Sequence, residues 1–260
     1  MSEEPKFSII MASYNYAKFI AQAIESVINQ TYKNWELIIV DDASDDNSLE
    51  IIRSYCQNDS RIKLYYHSKN KGLSKTLQLG INKASYDWIA FLESDDMFCP
   101  DYLEKKAEII SKEPNVSFIF NDFNAIGNVA FGEESHHKIF QKKMKQRVGP
   151  TNYKNDFYFE NPIPSFSTVA LKKELLKKCN YNSPIKPYLD WFLWGQISNK
   201  TDFYYIDKPL TLWRKHPKSY MNRNRPKSAY WFYLKLGFYL PNIYKKKLMR
   251  LRLLPMMILR

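Results

Sequence analysis

Glu93, Ser94, Asp95 and Asp96 place three carboxylates within four residues, directly after the apolar run Trp88-Ile89-Ala90-Phe91-Leu92. Such a run reads as a buried strand, so the acids emerge together at its carboxyl end. Like charges this close repel, and a shared cation relieves the repulsion. Oxygen-only ligands select a hard ion, Mg²⁺ or Mn²⁺, and Mg²⁺ sites commonly combine one or two carboxylates with substrate phosphates. The same residues also read as an acidic turn capping the next helix. Four residues leave both readings open.

The neighbouring elements decide where these acids meet other polar groups. Phe7–Met11, Trp35–Val40, Ile62–Tyr66 and Trp88–Leu92 read as strands. Helical spacing over Ala17–Gln30, Asn47–Tyr55, Leu73–Ala84 and about Pro100–Ser111 separates and follows them. This alternation predicts an α/β fold with a mostly parallel central sheet and helices on both faces. Ligands on open α/β sheets bind beyond the carboxyl ends of the strands. Ser13-Tyr14-Asn15, Asp41-Asp42 and Glu93–Asp96 all follow strands, so they converge on one rim. No Gly-x-Gly-x-x-Gly and no Walker-type loop occurs, which removes support for dinucleotide and P-loop readings. Further along, Val116–Phe120 reads as a strand and Asn128–Asp156 as a mobile loop over the site. Asn161–Ser167 is expected to line an acceptor cleft.

Composition narrows the function classes. The chain has 260 residues, 45% of them hydrophobic, enough for a packed core. Three scattered cysteines (Cys56, Cys99, Cys179) lack paired metal spacing and read as thiols of a reducing compartment. The polar start Met1–Lys6 and the lack of any apolar stretch near 20 residues predict a cytoplasmic protein. The net charge of +12 is concentrated: residues 221–260 hold ten Lys/Arg and no Asp or Glu, leaving 29 basic and 27 acidic residues in 1–220. A nearly neutral body argues against a nucleic-acid surface, so no nucleic acid is expected. The tail interleaves cations with Tyr230–Leu234 and Leu248–Leu259. It reads as a basic amphipathic helical extension touching an anionic membrane through 227–260, which would place the protein on the inner face of the cell membrane. Packing of the tail on the body or on a second subunit is the competing account.

Seven segments, taken in order, resemble a family 2 glycosyltransferase of the GT-A fold. They are Ser8–Asn15, Ala23–Val27 with Gln30-Thr31, Glu36–Ser44, Asn70–Ser74 with Gly80-Ile81, Phe91–Asp96, Leu189–Trp194 and Trp213–Ser219. The resemblance implies a catalytic domain over 1–220, with a nucleotide-sugar half to about 111 and an acceptor half beyond. It implies that Tyr14 stacks near a nucleotide base, with the Ala12 and Ser13 backbone beside it. Asp42 would accept a hydrogen bond from uracil N3–H, and Asp95 would contact the ribose. Asp96 would ligate the divalent metal, and Asp190 would be the general base. The implied activity is an inverting transfer from a UDP-sugar to a surface-glycan or lipid-linked acceptor. A metal stabilises the departing diphosphate, and one carboxylate takes the acceptor hydroxyl's proton.

Several positions depart from the family's usual pattern. Ala12 replaces a common proline, Glu93 a common aspartate, Leu189 a common acid and Leu77 a common arginine, while Lys75 lies half a helical turn from Leu77. Each site residue also has a plain structural alternative. Tyr14 suits ordinary packing, Asp42 suits a helix cap, and Asp190 suits a surface acid. His216 and Arg214 either approach the phosphates or brace their loop; His136-His137 read as surface residues. Two rival functions are a nucleotidyltransferase on a related sheet and a non-catalytic nucleotide or nucleic-acid-binding module.

Overall fold

The computed structural model describes residues 4–127, 140–158, 161–183 and 188–219. The expected alternation appears as strands β1 (Phe7–Ser13), β2 (Trp35–Asp41), β3 (Ile62–Tyr66) and β4 (Trp88–Phe91), with helices α1 (Ile20–Ile28), α2 (Ser48–Asn58) and α3 (Leu73–Lys83) between them. Then come β5 (Met97–Phe98), α4 (Tyr102–Lys112), β6 (Phe118–Gly127), β7 (Gly149–Thr151), β8 (Val169–Lys172), α5 (Lys173–Lys177), α6 (Leu189–Ile197) and β9 (Phe203–Lys215). The C-terminal extension, and with it the expected membrane contact at 227–260, lies outside the described residues.

The nine strands form one sheet in the order β3-β2-β1-β4-β8-β6-β9-β5, with β7 also paired to β9. β3, β2, β1 and β4 are parallel neighbours. β8 then runs antiparallel between β4 and β6, and β9 runs parallel to β6. The two reversals at β8 restore the direction, so the carboxyl ends of β1, β2, β4, β6 and β9 share one rim. The sheet is therefore more mixed than the sequence reading predicts. β5 and β7 are short antiparallel partners of β9, which local periodicity does not reveal.

Strand alternation sorts the core into two layers. Ile10, Ile38, Val40, Ile89 and Phe91 face one layer with α3 and α6. Ile9, Met11, Leu37, Ile39 and Ala90 face the other with α1, α2 and α4. Full burial of each Ile, Leu, Val, Met or Phe side chain among them contributes roughly 1.5–3 kcal/mol. Gly80 lets α3 approach β1: a Cβ there would stand 2.6 Å from the Ile10 side chain.

The expectation of a mobile loop over Asn128–Asp156 needs correction where residues are described. Residues 140–144 are helical, β7 adds to the sheet, and Met144, Tyr153 and Phe157 are buried in the first core layer. Apolar residues spaced among many lysines read as irregular in sequence. Their partners, such as Phe120 and Phe203 against Tyr153, lie far away along the chain.

Candidate active site

The turn after β1 and the turn after β2 are tied together. Asn15 N–H donates to Ser44 Oγ (2.9 Å), Asp45 N–H donates to Asn15 Oδ1 (3.0 Å), and Tyr16 N–H donates to Ser48 Oγ (3.0 Å). Asn15 and Ala43 adopt left-handed backbone angles, φ 61° and 62°, a region asparagine tolerates better than most residues. Asp41 is turned inward, taking Ser44 N–H and Oγ–H. Asp42 accepts Lys71 N–H (2.7 Å) and Gly72 N–H (2.8 Å), so it fastens the loop before α3 and does not cap α2. Each carboxylate oxygen retains a lone pair for a further donor.

Beyond β4, Ser94 Oγ–H donates to Ala12 O (2.8 Å), locking the acidic segment against β1. The following helix begins only at Tyr102 with Asp101 at its N-cap, so the acids do not cap it. The three carboxylates have different surroundings. Asp96 is almost fully buried; its oxygens accept Ser167 Oγ–H (2.6 Å) and Arg214 N–H (2.9 Å). Asp95 lies beside His216, with Nε2 2.9 Å from Oδ2. Its backbone oxygen accepts Arg214 Nε–H (2.8 Å), and Arg214 reaches on to Gln22. Arg214 thus braces the acidic turn against α1, and the His216 ring packs on Phe19.

Glu93 N–H donates to Ser167 Oγ (3.0 Å). Burial, then the charges of Asp96, Asp95 and Asp190, push the Glu93 carboxyl well above the usual range. Burial and the Asp95 charge do the same to Asp96, against the Ser167 and Arg214 hydrogen bonds. Asp190, in the first turn of α6, accepts Asn161 Nδ2–H (2.8 Å). Burial pushes its carboxyl up to about 6, opposed by the Trp191 N–H and Asn161.

One cavity of about 600 Å³ opens at this rim. Ala12, Ser13, Tyr14, Asp42, Glu93 and Asp95 line it, together with the Asn70–Ser74 loop. Asp96 is not among the lining residues, and Asp190 reaches the site through its charge on Glu93 rather than as a lining residue. The Ser13 hydroxyl is buried with no protein partner. Ser165 and Ser167 fall in the stretch expected to line an acceptor cleft, but sequence reasoning missed that they hold Glu93 and Asp96; serines that follow Pro162 and Pro164 carry no signal of that role. It left His216 open, and the structure sets it on Asp95. His136-His137 lie outside the described residues.

Among the described residues, no group of three or more His, Cys, Asp or Glu is arranged to hold a metal. A cation shared with a diphosphate asks less of the protein, one or two carboxylates. Glu93, Asp95 and Asp96, crowded within four residues, fit that requirement.

Comparison with known proteins gives the family and the fold. The chain is 32% identical over 209 residues to an uncharacterized glycosyltransferase of Rickettsia conorii, covering 80% of this chain and 32% of that one. It is 32% identical over 190 residues to the Escherichia coli UDP-Glc:alpha-D-GlcNAc-diphosphoundecaprenol beta-1,3-glucosyltransferase WfgD, covering 73% and 68%. The chain thus spans about a third of the Rickettsia relative. Among solved structures, Staphylococcus aureus TarS 1–349 in complex with UDP-GlcNAc superposes with a TM-score of 0.71 at 20% identity, over 89% of this chain and 64% of that one. The Pyrobaculum calidifontis mannosyltransferase PcManGT, in complex with GDP-Man and Mn²⁺, gives 0.62 at 16%, over 95% and 65%. These likenesses assign the fold as GT-A. Residues 8–179 match glycosyl transferase family 2, and this chain belongs to that family.

Proposed function

We propose that the chain is an inverting, metal-dependent enzyme that moves a sugar from a UDP-linked donor to a hydroxyl of a surface-glycan or lipid-linked acceptor. The observation that carries this reading is the cavity that Ala12, Ser13, Tyr14, Asp42 and Asp95 line together, with Asp190 close enough for its charge to act on Glu93. Residues 1–111 supply the nucleotide-sugar side and 112–220 the acceptor side.

In this reading, Tyr14 packs on the base and Asp42 accepts N3–H with the capacity its two backbone donors leave. The unpartnered Ser13 hydroxyl finds its partner on the nucleotide. Asp95 and His216 face the diphosphate, and Asp95 also reaches the ribose. Mn²⁺ or Mg²⁺, when bound, neutralises the charge that develops on the departing diphosphate. Asp96, which the resemblance implies as the metal ligand, is not among the residues that line the cavity, whereas Asp95 is, and Ser167 and the Arg214 N–H fix the Asp96 carboxylate. We assign the metal contact first to Asp95 and give Asp96 the task of holding it in place. Asp190 takes the proton from the acceptor hydroxyl as that oxygen attacks the anomeric carbon. In-line attack inverts the centre and needs no sugar–enzyme bond.

The lipid-linked acceptor is supported by WfgD, whose name states a diphosphoundecaprenol substrate. No helix among the described residues is long and apolar enough to cross a membrane. The basic segment 227–260 is proposed to hold the enzyme at an anionic surface, where each nearby cation contributes about 1 kcal/mol. The test of the whole reading is transfer from UDP-sugars with and without Mn²⁺. Metal-stimulated UDP release with acceptor supports it, and no turnover on any nucleotide sugar removes it.

A further inference from the structure

The cavity has an apolar wall: Ile10, Leu77, Phe91 and Phe166, with Leu73 packed against them, belong to one core layer, whereas Asp42, Glu93, Ser94 and Asp95 bring polar groups to the lining. Lys71 is the only lysine or arginine among the described lining residues. The polar Thr76 donates its hydroxyl to Gly72 O (3.0 Å), so it adds no free donor to the apolar side.

This apolar wall is rigid and well placed. The Phe166 ring packs edge-on against Phe91 (5.2 Å) and Trp194 (5.3 Å), and Leu77 is buried in the same core layer. Phe166 stands between Ser165, hydrogen-bonded to Glu93, and Ser167, hydrogen-bonded to Asp96. Glu93 in turn feels the charge of Asp190. Phe166 thus carries the wall to the acids beside which, in the reading above, the proton is taken and the reacting sugar must sit. A sugar hydroxyl turned to Leu77 and Phe166 loses water and gains no partner, whereas a methyl group gains contact.

We propose that the donor sugar carries a methyl-bearing substituent, either an acetamido group or a 6-deoxy carbon, seated against Leu77 and Phe166. The inference rests on the nucleotide-sugar reading above and deepens it. Asp42 reads an N3–H that uracil and thymine share, so both nucleotides are suitable probes.

The experiment is calorimetric titration of the full chain with UDP, UDP-glucose, UDP-N-acetylglucosamine, dTDP, dTDP-glucose and dTDP-rhamnose, each with Mn²⁺. At least one methyl-bearing donor is expected to bind about tenfold more tightly than the glucose donor of the same nucleotide, the lower end for group discrimination in an apolar pocket. The acetamido and deoxy arms tell the two substituents apart. Leu77→Asn should shrink that ratio while UDP affinity stays close to wild type, with a lower melting temperature because Leu77 is buried. If Leu77→Asn does not fold, Phe166→Tyr places a hydroxyl on the same wall and should shrink the ratio likewise. Equal or tighter binding of the glucose donors, with UDP binding intact, overturns the inference. Absence of binding by UDP and dTDP alike removes the nucleotide reading and this inference with it.

Discussion

A carboxylate that removes a proton from a sugar hydroxyl must be ionised at working pH yet basic enough to accept it. Burial gives Asp190 that balance, near 6, and Asn161 keeps it from rising further. Activity is therefore expected to fall as pH drops below about 6, with Asp190 as the titrating group. Asp190→Asn should cut turnover by roughly 10²–10⁴-fold while UDP affinity stays unchanged; wild-type turnover would exclude it as the base. Asn161→Ala removes a hydrogen bond to the ionised form, so the acid limb of the pH profile should move upward. An unmoved limb contradicts that role. Asp96→Asn tests the bracing role: it sets an amide against Ser167 and the Arg214 N–H, and it should lower the melting temperature. Unaltered stability would return Asp96 to the front rank of metal ligands.

At the scale of elements, α3 and the opposite end of the sheet carry testable packing. Gly80→Ala drives a methyl into Ile10, which also lines the cavity. Overpacking of this kind costs about 1–3 kcal/mol, so denaturant midpoints should fall; an unchanged midpoint would show that α3 can shift freely. Glu36, buried at the far end of β2, accepts Ser8 Oγ–H (2.6 Å), Lys63 Nζ–H (2.6 Å) and Ser85 N–H (2.6 Å). Glu36→Gln should cost about 1.5–3 kcal/mol, the worth of hydrogen bonds to a charged group. The parallel half of the fold was legible because each strand's apolar run and each helix's spacing are local signals. Strands β5, β7 and β9 were not, because their apolar residues are sorted by partners dozens of residues away. The same holds within the site. Asp42 and Asp95 follow obvious strands, whereas the roles of Ser165, Ser167 and Arg214 depend on β8 and β9 being threaded beside β4 and β5.

For the whole molecule, the carboxylates pull stability in opposite directions with pH. Glu36 is held below its ordinary range by Lys63, Ser8 and Ser85, although burial opposes them. Its contribution is present above pH about 4.5 and is lost as pH falls through its lowered folded value. Glu93, Asp96 and Asp190 are raised. They favour the folded state most below their unfolded values, and that preference is lost as pH climbs through their folded ones. As pH rises the site thus gathers negative charge that the fold does not favour. A cation with a diphosphate should raise the melting temperature more at pH 8 than at pH 5; equal shifts would contradict this account of the acids. The basic segment adds a separate prediction. Truncation after Lys227 should release the protein from anionic vesicles in sedimentation, and undiminished pelleting would reject that segment as the anchor.

Titration of UDP against the wild type and Asp95→Asn, with and without Mn²⁺, tests the central claim most directly. The account predicts that Mn²⁺ strengthens UDP binding in the wild type and has no effect in Asp95→Asn, with both proteins melting alike. Binding indifferent to Mn²⁺, or an Asp95→Asn protein that still responds to it, would contradict a diphosphate held by cation and carboxylate at this rim.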